Sequence, residues 1–376
     1  MEDNDIIARF VSVKTKREVA EVLGSSLKSM AYNLYVLPAD KRYRRFTVPK
    51  KPGAAREICA PAGGLKYLQR QLAKILTGCE EFRPCVHGYV RSKSIKSNAM
   101  VHCGKRIVIN IDLKGFFDTI NFGRVRGVFL KPPFNFNAEV ATTLAQICCH
   151  DGVLPQGSPA SPIISNYVCR KLDSELLAFA RRHKMTYSRY ADDMTFSTNM
   201  RCLPSEMGEI RDGGLVLSDE LRSIIEGNGF VINDSKTRYA LRNNRQEVTG
   251  LIINEGVNVA RRYVKRIRAM LHAWEKYGIE SATREHLERF NYKRKHPDYP
   301  EIAFKNELVG MINYVCYIKG RNNTVYNTLY NRIQRLDANI RLSIPETKSI
   351  PDDAVIVYCE GKTDGVHLQA AYDYYK

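Results

Sequence analysis

The stretch YADDMTFS, residues 190–197, places two adjacent carboxylates in an otherwise apolar, β-prone segment. Burying two like charges side by side is costly unless a positive group neutralises them. Successive side chains of a strand point to opposite faces, so the chain must turn here if both aspartates are to serve one site. The pattern therefore predicts a β-hairpin with Asp192 and Asp193 at its tip.

A third carboxylate, Asp112, ends the apolar run at residues 106–111, which is typical of a buried strand. Mg²⁺ prefers such oxygen ligands and leaves its other positions to phosphates and water. Two such ions about 3.5–4 Å apart can hold the attacking and leaving oxygens of a phosphoryl displacement. Asp112, Asp192 and Asp193 are therefore predicted to form a two-metal Mg²⁺ site; the alternative for the Asp-Asp pair alone is a solvated turn.

The composition is that of a globular chain with a polyanionic partner. Its 376 residues are 44% hydrophobic and 26% charged, and the net charge is +18, for which we expect nucleic acid as the partner. No apolar run reaches the ~18 residues of a membrane span and no signal peptide opens the chain, so we expect a cytoplasmic protein without membrane contact. The ten cysteines lack zinc-like spacing and are expected to be reduced.

Several motifs follow one another in a specific order. A strand ending in Asp112 precedes Pro155-Gln156-Gly157, the Tyr-Ala-Asp-Asp turn, Lys236 and a glycine-bearing hairpin. This ordered set closely resembles the reverse transcriptases over roughly residues 46–340. Within that class the chain resembles bacterial retron reverse transcriptases, since NAMVH (residues 98–102) fits an Asn-Ala-x-x-His signature and residues 248–250 fit Val-Thr-Gly.

The resemblance implies an α+β, right-hand polymerase fold with fingers, palm and thumb, in which the palm sheet is antiparallel and the thumb is helical. The implied divisions are an N-terminal helical region (1–45), fingers (46–104), palm (105–255, with a fingers insertion at about 125–160) and thumb (256–345).

The resemblance also assigns roles to residues of the polymerase site. Asp112 and Asp192 would be the principal Mg²⁺ ligands, supported by Asp193 and the carbonyl of Leu113, and Lys236 would protonate the pyrophosphate leaving group. The implied nucleotide-binding residues are Arg56 and Lys50 on the fingers, Phe117 as a steric gate against a ribose 2′-OH, and Gln156 and Gly157 in the pocket. For Phe117 core packing remains an alternative, and for Lys236 and Lys50 an ordinary solvated lysine does.

Contacts to RNA and primer are implied for two further groups. The first contains the two retron signatures, that is Asn98, His102, Val248, Thr249 and Gly250. The second is a basic thumb helix whose spacing places Arg261, Lys265 and Arg268 on one stripe and Arg262 and Arg266 beside it.

The implied function is reverse transcription of the enzyme's own structured non-coding RNA, primed from a guanosine 2′-OH, to give branched RNA–DNA. Family membership further implies deoxynucleotide substrates, a role in anti-phage defence and an effector protein as partner. Two alternatives remain open: another small bacterial reverse transcriptase of the diversity-generating or abortive-infection type, and a non-catalytic RNA-binding scaffold.

The tail differs from the rest of the chain. Residues 354–358 read as a strand, and Glu360-Gly361-Lys362-Thr363-Asp364 followed by a short helix resembles the first βα unit of a Toprim domain. A single βα unit cannot close its own core. Residues 351–376 therefore resemble an incomplete Toprim unit, and three interpretations stay open: a truncated fusion, a remnant that docks on an effector, or coincidence.

Overall fold

The computed structural model describes residues 2–49, 55–79, 82–211, 214–290 and 299–340. Two of the regions singled out above, Lys50 at the hairpin tip and the tail at 351–376, lie outside these residues. The chain divides into two compact units, one with the described residues up to Asn244 and one with those from Arg245 onward. The division into fingers, palm and thumb at the boundaries given above stays a prediction.

The first unit combines helices with antiparallel strands. Its helices are α1 (Glu2–Val11), α2 (Lys16–Val22), α3 (Leu27–Ala31), a π-helical turn (Tyr32–Val36), α4 (Ala39–Arg42), α5 (Gly63–Cys79), α6 (Ile95–Val101), α7 (Phe122–Leu130), α8 (Ala138–Cys148), α9 (Ser161–Val168), α10 (Arg170–Arg182) and α11 (Asp219–Gly227). Its strands are β1 (Tyr43–Pro49), β2 (Ala55–Pro61), β3 (Ile107–Lys114), β4 (Thr186–Tyr190), β5 (Asp193–Thr198), β6 (Gly208–Arg211), β7 (Gly214–Leu217), β8 (Val231–Ile232) and β9 (Arg238–Leu241).

Strand β3 is the centre of the main sheet. It pairs with β5 on one side and with β8 and β9 on the other, and β4 pairs with β5, all antiparallel. Most β3 side chains on both faces are buried, which explains why its sequence is a nearly continuous apolar run rather than an alternating one. Strands β1 and β2 form a separate antiparallel hairpin, and so do β6 and β7.

The second unit is mainly helical. The short strands β10 (Glu247–Val248) and β11 (Leu251–Ile252) form a hairpin, followed by α12 (Arg261–Phe290), α13 (Pro300–Lys319) and α14 (Thr324–Leu336). Helix α12 contains a non-helical residue, Gly278, at a positive φ of 79°. Trp274 of α12 meets Phe304 of α13 edge-on, with ring centroids 6.2 Å apart, in the core of this unit.

The α+β class and the antiparallel sheet expected from the sequence are confirmed. Among the helices of the described residues, none is both long and apolar enough to cross a membrane.

Candidate active site

The Tyr-Ala-Asp-Asp stretch forms the predicted hairpin turn. Tyr190 and Asp193 are a paired position of β4 and β5, so Ala191 and Asp192 are the two loop residues between them. Ala191 adopts a positive φ of 57°, as the primed turns that fit the twist of a two-residue hairpin require. The turn thereby ends the sheet with Asp192 in the loop and Asp193 at the start of β5.

Asp112 lies beside this turn on the neighbouring strand. Asp112 of β3 is directly opposite Asp193 of β5, and side chains at such positions have Cβ atoms about 4.5–5.5 Å apart. The Leu113 amide donates to the carbonyl oxygen of Asp192 at 3.3 Å, which fixes the loop against β3. The three aspartates predicted from the sequence are thus brought to one end of the sheet.

The segment after β8 supplies the groups that bind Asp112. Lys236 Nζ donates to both carboxylate oxygens at 2.9 Å, and Asn233 Nδ2 donates to Oδ2 at 2.8 Å. The backbone N–H of Asn233 also donates to the backbone carbonyl of Asp112 at 2.8 Å. Lys236 therefore lies in the site where the sequence places it, whereas Asn233, the other group that orients Asp112, was not anticipated.

Lys236 carries a proton that its surroundings hold firmly. Partial burial alone would lower the pKa of this amine, but the hydrogen bond to Asp112 and the negative charges of Asp112, Asp192 and Asp193 raise it above the ordinary lysine value. The Lys236 side chain is 52% exposed, whereas that of Asp112 is 13% exposed. The site thus contains both clustered carboxylates and a protonated amine.

The donor chemistry of the site fits a hard divalent cation such as Mg²⁺, because carboxylate oxygens are the ligands that this ion prefers. The side chains are not posed around such an ion. Within the described residues no group of three or more His, Cys, Asp or Glu side chains is arranged to hold a metal. Instead Lys236 supplies the charge that neutralises Asp112.

A buried ion pair that the sequence did not predict lies beside the β4–β5 turn and binds its backbone. Arg189, fully buried on β4, donates to both carboxylate oxygens of Asp173 at 2.7 Å, and its Nη1 donates to the Ala191 carbonyl at 3.1 Å. Tyr187 donates to the same Asp173 at 2.9 Å. One signal was present, namely an arginine in the β-prone segment three residues before Asp192.

Gly88 allows the segment at residues 85–88 to lie close to the β4–β5 turn. The Arg189 amide donates to the Cys85 carbonyl and the His87 amide donates to the Arg189 carbonyl, each at 2.8 Å. A Cβ atom on Gly88 would lie 2.5 Å from the backbone nitrogen of Ala191. No other residue fits here without moving the turn that carries the aspartates.

Two of the predicted nucleotide-pocket residues, Gln156 and Gly157, lie against β2. The Cys59 amide donates to the Gln156 carbonyl at 2.7 Å. Gly157 has a φ of 109°, and a Cβ atom there would lie 2.7 Å from Ile58 Cγ2. The Pro-Gln-Gly loop therefore packs against the strand that also carries Arg56.

A buried glutamine, Gln69, orients this loop and was not among the residues predicted from the sequence. Ser158 donates to Gln69 Oε1 at 2.7 Å, while Gln69 Nε2 donates to the Tyr43 hydroxyl at 2.9 Å and to the Ile147 carbonyl at 2.8 Å. Gln69 thereby ties the loop to β1, α5 and α8.

Phe117 is part of the core and follows β3, the strand that carries Asp112, by three residues. Its side chain is 8% exposed, and it meets Phe116 edge-on with ring centroids 5.2 Å apart. The steric-gate role stays a prediction. The side chain of Leu113 is buried, and the metal-binding role of its carbonyl also stays a prediction.

The side chains of Asn98 and His102, for which RNA contact is predicted, lie inside the protein, and that contact stays a prediction. Both are fully buried. His102 lies between the hydroxyls of Ser188 and Ser197, each at 2.7 Å, and Ser188 donates to Asn98 Oδ1 at 2.6 Å. Burial lowers the pKa of His102 to about 3, so its ring is neutral and joins α6 to the strands β4 and β5.

The Val-Thr-Gly signature forms the β10–β11 turn in the second unit. Val248 pairs with Leu251, and Thr249 and Gly250 are the loop residues with positive φ values of 46° and 78°. Because the Val248 side chain is fully buried, any contact with RNA or primer falls to Thr249 and Gly250.

The basic residues of α12 divide into two classes. Arg261, Arg262, Lys265 and Arg268 are exposed. Arg266 is half-buried, pairs with Glu307 at 2.6 Å and lies over the Phe290 ring at 4.9 Å. The guanidinium of Arg266 thus joins α12 to α13, and its contact with RNA stays a prediction.

Known proteins resemble this chain in sequence. Residues 48–253 match the family model described as reverse transcriptase (RNA-dependent DNA polymerase). Retron Mx65 reverse transcriptase of Myxococcus xanthus is 33% identical over 299 residues, which cover 73% of this chain and 66% of that protein. Retron Ec86 reverse transcriptase of Escherichia coli is 36% identical over 242 residues, which cover 64% of this chain and 72% of that protein.

The matches do not extend over the whole of every relative. Retron Mx162 reverse transcriptase of Myxococcus xanthus is 32% identical, with 57% of its length covered, so the chain spans less than two thirds of either Myxococcus protein. Among solved structures, the apo telomerase from Candida tropicalis truncated from its C-terminal domain matches with a TM-score of 0.40 and 14% identity, over 60% of this chain and 56% of that one.

Proposed function

We infer that this chain, which belongs to the reverse transcriptase family and within it to the retron reverse transcriptases, is an RNA-directed DNA polymerase. The observation that carries the proposal is the meeting of Asp112, Asp192 and Asp193 at one end of the sheet, with Lys236 Nζ 2.9 Å from the Asp112 carboxylate. Carboxylates with a protonated amine suit a phosphoryl transfer that forms a phosphodiester and releases pyrophosphate.

Asp112, Asp192 and Asp193, with the carbonyl of Leu113, would hold the divalent cations, which we propose to be two Mg²⁺ ions. When bound, such ions lower the pKa of an attacking hydroxyl and neutralise charge that develops on the transferred phosphorus. Asn233 keeps the Asp112 carboxylate oriented towards this end of the sheet.

The other residues of the site bind the nucleotide and handle its protons. Arg56 would bind the triphosphate, for which a guanidinium is well suited. Gln156 and Gly157 would line the pocket for the base pair, and Phe117 would exclude a ribose 2′-OH. Lys236, whose pKa is raised, holds a proton at Nζ that would pass to the pyrophosphate oxygen as it leaves.

The proposed template is a structured non-coding RNA recognised by this chain. Membership of the retron group, the net charge of +18 and the four exposed cations of α12 support an RNA partner. We further propose that synthesis starts from a guanosine 2′-OH in that RNA, that it gives branched RNA–DNA, and that the product acts with an effector protein in defence against phage.

The decisive experiment compares the nucleic acid that copurifies with three proteins, each expressed with the native upstream DNA. They are the unaltered chain, Asp192→Asn, and Asp40→Asn, which alters an exposed carboxylate on α4 in the same way. We expect branched RNA–DNA from the unaltered chain and from Asp40→Asn, and only RNA from Asp192→Asn, because the amide removes a charge from the carboxylate cluster. RNA without DNA from all three would favour a binding scaffold, and unbranched DNA would favour another class of small reverse transcriptase.

A further inference from the structure

The aromatic ring of Phe117 is the first of three successive phenylalanine rings in contact, and an arginine lies over the last of them. Phe117 meets Phe116 edge-on, and Phe116 stacks on Phe230 with centroids 5.5 Å apart and ring planes 19° from parallel. The guanidinium of Arg124 lies over the Phe230 ring, 4.2 Å from its centroid. The three rings are all buried, and Phe116 lies in contact with both Phe117 and Phe230.

Arg124 fixes Phe230 through the backbone as well as through the ring. Its guanidinium donates to the carbonyl oxygens of Asn228 at 2.8 Å, Gly229 at 3.0 Å and Thr119 at 3.2 Å. Asn228 and Gly229 follow directly on α11, where unpaired carbonyls form the negative end of the helix dipole. Only a planar guanidinium combines stacking on a ring with several donors in fixed directions.

The stability of α7 does not explain an arginine at this position. Arg124 lies in the first turn of α7, where its backbone amide donates to the Asn121 side chain at 3.0 Å. A cation at this end opposes the dipole of its own helix. Gly229, at a φ of 74°, would place a Cβ atom only 3.3 Å from Arg124 Nη1, so the approach is close. The favourable contacts of the Arg124 side chain are therefore with the segment at residues 228–230, and not with other residues of α7.

We propose that Arg124 is a positioning residue for sugar discrimination: it holds Phe230, which holds Phe116, so that Phe117 cannot yield to a ribose 2′-OH. The inference rests on the proposed polymerase function and on Phe117 as the gate. A clash rejects the wrong substrate only while the clashing group is unable to move aside. In the absence of Arg124 we expect the ring to relax and ribonucleotides to enter.

The test measures kcat/KM for one deoxynucleoside triphosphate and for the matching ribonucleoside triphosphate. The variants are Arg124→Ala, Arg124→Lys and Phe230→Leu, with Arg126→Ala as the control. Arg126 is on the same helix, and its Nε donates to Thr142 at 2.9 Å instead. We expect the preference for the deoxynucleotide to fall by about tenfold in the three variants, equivalent to about 1.4 kcal/mol, and to stay unchanged in Arg126→Ala.

A double variant separates positioning of the gate from general damage to the fold. Phe117→Ala should remove most of the discrimination, and Arg124→Ala added to it should lower the preference no further, because both changes act through the same ring. Equal losses for both nucleotides, or a further fall in the double variant, would overturn the inference. If Arg124→Ala does not fold, Phe230→Leu decides, since it keeps an apolar side chain in the core. If the unaltered protein incorporates neither nucleotide, the polymerase proposal itself fails and the inference with it.

Discussion

Lys236 is the residue whose protonation the site controls most directly. Its raised pKa keeps the amine charged at neutral and moderately alkaline pH. A proton donor must hold its proton at the working pH, so the unaltered enzyme should show no loss of activity from this group until the pH exceeds the ordinary lysine value of about 10.4. Histidine at this position would lose its proton far earlier, because its ordinary pKa is about 6.5.

We therefore expect Lys236→Leu to slow the single-turnover incorporation of a deoxynucleotide by about 10²–10⁴-fold, the range for loss of a general acid. Lys236→His should recover part of the rate at low pH and lose it as the pH rises above about 6.5. Lys171→His, at an exposed lysine that pairs with Glu175, is the control and should keep the profile of the unaltered enzyme. A flat profile for Lys236→His between pH 6 and about 9 would show that no proton passes from this position.

At this scale the sequence predicted residue types and their order better than their surroundings. The three aspartates and Lys236 could be found because they follow one another in the order of the reverse transcriptase motifs. Asn233 and Arg189 were missed because their roles depend on Asp112 and Ala191, which other segments bring close. The burial of Asn98 and His102 was not foreseen, because a signature in the sequence does not say whether its side chains point inward.

Among the elements, the β4–β5 hairpin depends on a charge pair that is shielded from water. Arg189 and Asp173 are both buried, and their mutual hydrogen bonds offset the loss of hydration only while both charges are present. The same arginine donates to the Ala191 carbonyl in the turn. The pair thus connects the packing of α10 to the position of the two aspartates.

Asp173→Asn should reduce the free energy of unfolding by about 3–5 kcal/mol, because it leaves the buried Arg189 charge uncompensated. Glu220→Gln, which breaks the exposed pair between Arg182 and Glu220 at 2.7 Å, should reduce it by less than about 1 kcal/mol. Urea unfolding of both variants, followed by circular dichroism, measures the difference. Equal losses would mean that the buried pair contributes no more than a surface one.

The sequence predicted an element correctly where a local pattern of apolar residues or a turn defines it. It did not predict the segment in which residues bind a distant side chain. The apolar run before Asp112 became β3, and the aspartate pair became a turn, since a two-residue loop is the local way to end a hairpin. After α11 the chain forms only the two-residue strand β8 and then turns. Asn233 and Lys236 leave the sheet there to bind Asp112, an interaction that no local pattern encodes.

For the whole molecule the excess of positive charge is the dominant property, and α12 shows how it is used. Arg261 and Arg262 begin this helix, where cations oppose the helix dipole, so their presence weakens the helix slightly. A polyanion bound to Arg261 and Arg262 would offset this unfavourable interaction with the helix dipole. Arg266, one turn further, is instead neutralised within the protein by Glu307. Residues 261–268 of this helix therefore carry four exposed cations and one that is already paired within the protein.

RNA binding should separate these two classes through its dependence on salt. Removing one interaction between a cation and a phosphate should reduce the slope of log K against log salt by about 0.7–0.9. The double variant Arg262→Ala with Lys265→Ala should therefore flatten the slope and weaken binding at low salt. Arg266→Ala should leave the slope unchanged, although it weakens the junction between α12 and α13. Fluorescence anisotropy with a structured RNA over a series of salt concentrations measures both. If Arg266→Ala flattens the slope as much as the double variant does, its pairing with Glu307 does not withhold it from the RNA, and the division of the α12 cations is wrong.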